Sequence, residues 1–157
     1  VALLRSPELL QRVRALGDFL RFETCFPPHL SEFAILIVAS HWRQSYEWEI
    51  HGPIALAAGV AATHLEALAN GARPSGMSDE EATIYEFCKK VCSGATVGDH
   101  EYARMVVLFG ERGTVEAAGL VGYYTLLAMV LNTARTPPPT VDERSSNVPR
   151  LPPERRG

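Results

Sequence analysis

Glu32 to His51 reads EFAILIVASHWRQSYEWEIH, and the reading of this stretch decides the fold. Phe33 through Ala39 is apolar without alternation. Such a run is either a strand buried on both faces or a helix buried on most sides, and Ile and Val are β-branched. No other run in the chain alternates at period two, so we read a helix from about Leu30 to Trp42, with Ser31 as its cap. After a short polar break, a second helix spans roughly Ser45 to Ala58. Pro53 inside it should kink the helix just after His51, and Gly59 supplies the stop. On that helix Glu47 and His51 lie four residues apart on one face, with Gln44 one turn before Glu47.

Helical signals continue on both sides of this hairpin. Ser6-Pro7-Glu8 is a helix start, with a capping hydroxyl, Pro at the first helical position and an acid in the first turn. Leu9, Leu10, Val13, Leu16, Phe19 and Leu20 follow at helical spacing until Phe26-Pro27-Pro28 breaks the chain. A short helix covers residues 62–70, and residues 72–76 form a loop. Ser78 and Glu81 have capping-box spacing, and the helix they open carries Ile84, Phe87, Cys88, Val91 and Cys92 on one side. Asp99 starts a helix with Tyr102, Val106 and Phe109 inward, closed by Gly110. Thr114 opens the last helix, in which Gly119 and Gly122 would allow a close backbone approach. The expectation is an all-α protein of about seven helices: a helical domain over residues 1–135 and a Pro-rich tail over 136–157. That tail should be a disordered segment, or an arm lying on a neighbouring subunit, that buries little surface.

Composition narrows the function classes. A chain of 157 residues, 46% hydrophobic, fits one domain with a real core. The net charge of -3 and the lack of a basic face speak against nucleic acid as a partner. Three cysteines, an odd number, suit a reducing cytoplasm better than a disulfide scaffold. The apolar stretches are too short or too interrupted for a bilayer span, and the opening VALLRSPELL has no signal-peptide pattern. We therefore expect a soluble cytoplasmic protein, not a membrane protein, whose first residues are missing from the chain.

The chemistry-bearing residues gather in the opening stretch. A carboxylate beside an imidazole raises its pKa and fixes its tautomer, as a general acid/base requires. His51 is thus the candidate acid/base, Glu47 its orienting partner and Glu32 a second proton-transfer group. An exposed i, i+4 pair for Glu47–His51, and a helix-dipole role for Glu32 in a first turn, are the plain alternatives. Gln44 is placed to hydrogen-bond a substrate and Trp48 to wall the pocket, while Tyr123 or Tyr124 could reach it with a hydroxyl. His41 could join Glu47 and His51 on a metal. However, Glu-x-x-x-His is one residue longer than the Glu-x-x-His of di-iron bundles and has no second copy, so no metal is expected. His41 then counts among the substrate-contacting candidates, while His29, His64 and His100 have no partner at convincing spacing.

These features, in this order, resemble the carboxymuconolactone decarboxylase family, which includes the alkylhydroperoxidase D-like proteins. The resemblance covers roughly residues 6–133 and rests on Glu32-Phe-Ala-Ile-Leu, Gln44 to His51, Pro53 to Gly59 and the late segment Gly110 to Asn132. The peroxidase branch carries Cys-x-x-Cys-x-x-x-His with an upstream glutamate. His51 falls on the motif histidine, Glu32 on the glutamate and Tyr46 between the cysteine positions, which are Gln44 and Glu47 here. Neither Gln nor Glu can attack a peroxide or resolve a sulfenic acid. The decarboxylase branch has Glu-x-x-x-His, matched by Glu47 and His51, but Glu32 stands where a basic residue is expected.

The resemblance implies an alkylhydroperoxidase D-like helical fold, ring-shaped homo-oligomers (trimers or hexamers) and no cofactor. It also implies Tyr46 among the substrate contacts. The expected activity is cofactor-independent acid/base chemistry, as a decarboxylase or a lactone-type lyase, isomerase or hydrolase, on a small unsaturated or cyclic acid. The alternatives are a peroxidase using an unusual cysteine such as Cys88, and a non-catalytic oligomeric binding protein.

Overall fold

A computed structural model describes residues 2–138 and 147–152 of the chain. A 3-10 turn, Ala2–Arg5, precedes six helices: α1 Pro7–Phe22, α2 Pro28–His41, α3 Ser45–Ala58, α4 Ala62–Ala69, α5 Asp79–Cys92 and α6 Asp99–Thr133. No strand occurs among the described residues, so the fold is all-α.

α2 is the hub, packed against α3, α4, α5 and α6. Phe33, Ile35, Leu36, Ile37 and Val38 are each at most 1% exposed, which a helix achieves only when surrounded on all sides. Burial of each such side chain contributes about 1.5–3 kcal/mol. The helix begins at Pro28 rather than near Leu30, because extended Pro27 leads directly into a proline at the first helical position, where the missing N–H costs nothing. Ser31 is therefore an interior, buried residue and not the cap. Glu32 lies beyond the first turn, so the helix N-terminus does not account for it. Ser6 occupies the N-cap position of α1 but makes no capping hydrogen bond.

α3 starts and ends as read, runs through Pro53, and closes on Gly59 in the left-handed region at φ 103°. The capping box of α5 is complete: Ser78 Oγ accepts from the Glu81 N–H at 3.1 Å, and Glu81 Oε2 accepts from the Ser78 N–H at 2.8 Å. Gly110 breaks α6 where the sequence suggests, at φ 72° and ψ 173°. The chain re-enters the helix at once, however, instead of waiting for Thr114. Tyr102 is 47% exposed, and the core position falls instead on Met105, which is fully buried. Gly119 meets Leu20 of α1 at ordinary contact distance and Gly122 faces open space, so neither serves a tight backbone approach. By length and hydropathy α6 could cross a bilayer, but 44% of its most apolar window is buried against the rest of the fold.

The tail expectation falls partly on 139–146 and 153–157, outside the described residues. The described piece, 147–152, lies on its own chain. Val148 is buried against Gly52 of α3, and Trp48 Nε1 donates to the Pro149 carbonyl at 2.7 Å. A Cβ on Gly52 would sit 2.6 Å from Val148 Cγ1, so this strap needs glycine there. Gly52→Val is expected to displace Val148, destabilise the protein by about 1–3 kcal/mol and shift Trp48 fluorescence to the red. Unchanged emission and melting temperature would show that the strap does not form.

Candidate functional site

Three ionisable side chains meet between α2 and α3. Glu32 comes from the second turn of the buried α2, while Glu47 and His51 share one face of α3. Glu32 Oε2 lies 2.7 Å from His51 Nδ1, and Glu47 Oε2 lies 3.5 Å from His51 Nε2. Tyr124 of α6 completes the set, its hydroxyl 3.3 Å from Nε2 and its ring edge-on to the imidazole at 5.2 Å. All four are buried: His51 is 4% exposed, Glu32 7%, Glu47 8% and Tyr124 3%. The exposed-pair alternative for Glu47–His51 therefore does not hold.

The electrostatics follow from this geometry. Burial disfavours the imidazolium, but hydrogen bonds to Glu32 and Glu47 and their charges outweigh it, and the His51 pKa is raised. When charged, His51 donates from both nitrogens. When neutral, it keeps Nδ1–H on Glu32 and can accept from the Tyr124 hydroxyl at Nε2. Burial pushes the Tyr124 phenol far above its usual value, so this hydroxyl keeps its proton. A raised histidine pKa stabilises the fold fully below its unfolded value of about 6.5, and that contribution is lost as pH rises through the folded value. The stability advantage of the wild type over His51→Gln is therefore expected to shrink as pH goes from 6 to 9, read by melting temperature. A constant difference would place His51 outside this network.

A cavity of about 340 Å³ adjoins the triad on the Glu47 side. Leu10 of α1, Tyr46 and Glu47 of α3, and Leu127 and Leu131 of α6 form its walls, and the turn Ala2–Arg5 contributes Leu3 and Leu4. Glu47 is the one member of the triad in the wall, with His51 and then Glu32 behind it. The three groups form a line from the core to the cavity. Both imidazole nitrogens are engaged by carboxylates, so the groups do not converge on one point as metal ligands must. Among the described residues no group of three or more His, Cys, Asp or Glu side chains is placed to hold a metal ion.

Several sequence candidates fall elsewhere. Gln44 is the N-cap of α3: its Oε1 accepts from the Tyr46 N–H at 2.6 Å and its Nε2 donates to Asn132 at 2.6 Å. Both ends are thus occupied by structure. Trp48 is fully buried and carries the strap, so it is not a pocket wall. His41 is exposed at the far end of α2, roughly two and a half turns from Glu32, with its ring against Trp42. Tyr123 is half-buried beside Tyr124, and Tyr124 is the tyrosine that reaches His51. The signal that separates them is the buried stripe Ala117, Leu120, Val121, Tyr124, Ala128, which has helical period and skips Tyr123.

His64, read as partnerless, is buried with Nε2 donating to the Ser75 carbonyl at 3.1 Å and Nδ1 3.7 Å from Glu81. Burial raises the Cys88 thiol far above its usual range and pushes Cys92 up to about 11, so neither supplies a thiolate near neutral pH. Cys25 is exposed, and its pKa too is raised, by partial desolvation and by the neighbouring Glu116.

Comparison with protein-family models, with characterised proteins and with solved structures gave no match to this chain.

Proposed function

We propose that the chain is a carboxymuconolactone decarboxylase-like, cofactor-independent acid/base enzyme acting on a small unsaturated or cyclic substrate. The observation that carries this reading is the position of Glu47. Its carboxylate is at once part of a small-molecule-sized cavity wall and 3.5 Å from the buried His51. Glu47 is the group that exchanges a proton with the substrate. His51 holds the proton behind it, and Glu32 orients the imidazole through Nδ1. Decarboxylation, lactone isomerisation and lactone opening each need one proton moved to or from the substrate, and a carboxylate in an apolar-walled site suits that task.

The order of Glu32, Glu47 and His51 and the all-helical architecture support the family reading, and the buried, raised-pKa thiol of Cys88 speaks against the thiol-peroxidase alternative. In that reading the protein is a cytoplasmic homo-oligomer, a trimer or hexamer. Phe22, Leu16 and Met129, exposed at 71%, 48% and 53%, are apolar surface available for assembly. Light scattering of the purified protein tests this, and a monomer at all concentrations would refute it. The activity is tested by following solvent deuterium incorporation into a panel of unsaturated lactones, ketones and acids, with Glu47→Gln as control. Incorporation that is undiminished in the variant would overturn the proposal.

A further inference from the structure

The charge of the cavity wall selects among the substrates such a site could take. Two carboxyl groups, Glu32 and Glu47, flank one imidazole, His51, so acidic groups outnumber basic ones at the site. Among the described residues no Lys, Arg or His lines the cavity, and apart from Tyr46 and Glu47 the described wall is Ala, Leu and Val. Arg5 sits on the same N-terminal turn but faces the adjoining groove with Met129 and Thr133. A carboxylate entering here would leave water for an apolar space, meet Glu47, and find no cation among the described lining residues to compensate it.

We infer that the substrate is an uncharged, largely apolar carbonyl compound, an unsaturated ketone or a neutral lactone, and not a carboxylate. This rests on the acid/base reading of Glu47 and narrows it. The apolar walls hold the carbon skeleton, and Tyr46, which lines the cavity with Glu47, is assigned the hydrogen bond to the carbonyl oxygen. In the step, a C–H bond next to the carbonyl breaks and its proton forms an O–H bond on Glu47. The electron pair moves through the new C=C bond onto the carbonyl oxygen, giving an enolate. Return of the proton from Glu47 to the far carbon of the conjugated system gives the isomer. Nothing is oxidised or reduced, and no co-reactant is consumed.

The test is binding of a matched pair to the intact chain at pH 8: neutral 2-tetralone and anionic 1,2,3,4-tetrahydronaphthalene-2-carboxylate. Calorimetry reads affinity, and NMR in deuterium oxide reads exchange at the tetralone carbon next to the carbonyl. The ketone is expected to bind at least about tenfold tighter than the carboxylate in the wild type. The gap should close to within about threefold in Glu47→Gln, which removes the charge and keeps the shape. Leu127→Trp, which fills the cavity, should abolish binding of both. A carboxylate that binds as tightly as the ketone, or tighter, overturns the inference and leaves the acid/base reading standing. Absence of binding by both, with tetralone exchange no faster than in buffer, overturns the acid/base reading and the inference with it.

Discussion

Glu47→Gln is expected to slow proton exchange of a bound carbon acid by about 10²–10⁴-fold, the usual worth of a positioned acid/base group. The fold should survive, because glutamine keeps the volume of a side chain already in a cavity wall. Glu32→Gln should behave differently. Glu32 does not line the cavity, and in the proposed mechanism it acts through His51 at 2.7 Å. Removing its charge takes away one of the groups that raise the His51 pKa. Activity that needs a protonated His51 will then fall off at lower pH in this variant than in the wild type, while the plateau rate drops far less than in Glu47→Gln. Paired pH–rate profiles separate a substrate-contacting group from a positioning one. Equal losses with identical profiles would mean that the line from Glu32 to the cavity does not operate as a relay.

What the sequence reveals of this site depends on the range of the interaction. The buried nature of α2 is legible in Phe33 to Ala39, because only a helix enclosed on every side can be apolar all round. The limits of α3 are legible because Gly59 takes a left-handed conformation that other residues avoid. The pairing of Glu47 with His51 follows from helical spacing alone. The roles of Gln44 and Trp48 do not, since each is set by a partner far along the chain: Asn132 for Gln44, and the Pro149 carbonyl for Trp48.

Local pattern also misleads at the tail, where proline and charge hide that Val148 and Leu151 are apolar residues able to pack on the core. The cavity is the least legible feature. Its walls come from the N-terminal turn, α1, α3 and α6, and their register against one another is a tertiary fact. For the same reason the sequence could nominate His51 as the acid/base but not show that Glu47 stands between it and the cavity.

His51→Ala is expected to be the most destabilising single change at the site, by about 3–5 kcal/mol, the usual cost of breaking a buried ion pair from one side. In a domain of this size that lowers the melting temperature by roughly 10 °C. The reason is what remains: Glu32 and Glu47, less than a tenth exposed, would face a void with no cation between them. One carboxylate must then take up a proton or draw in water, at a cost the native triad does not carry. The loss should be full below about pH 6.5 and diminish toward alkali, where the wild type gives up its own imidazolium. The double variant Glu32→Gln, His51→Ala should recover part of the loss, because it removes the charge left deepest in the core. If the double variant is no more stable than His51→Ala at pH 7, the penalty comes from lost packing and not from an unpaired carboxylate.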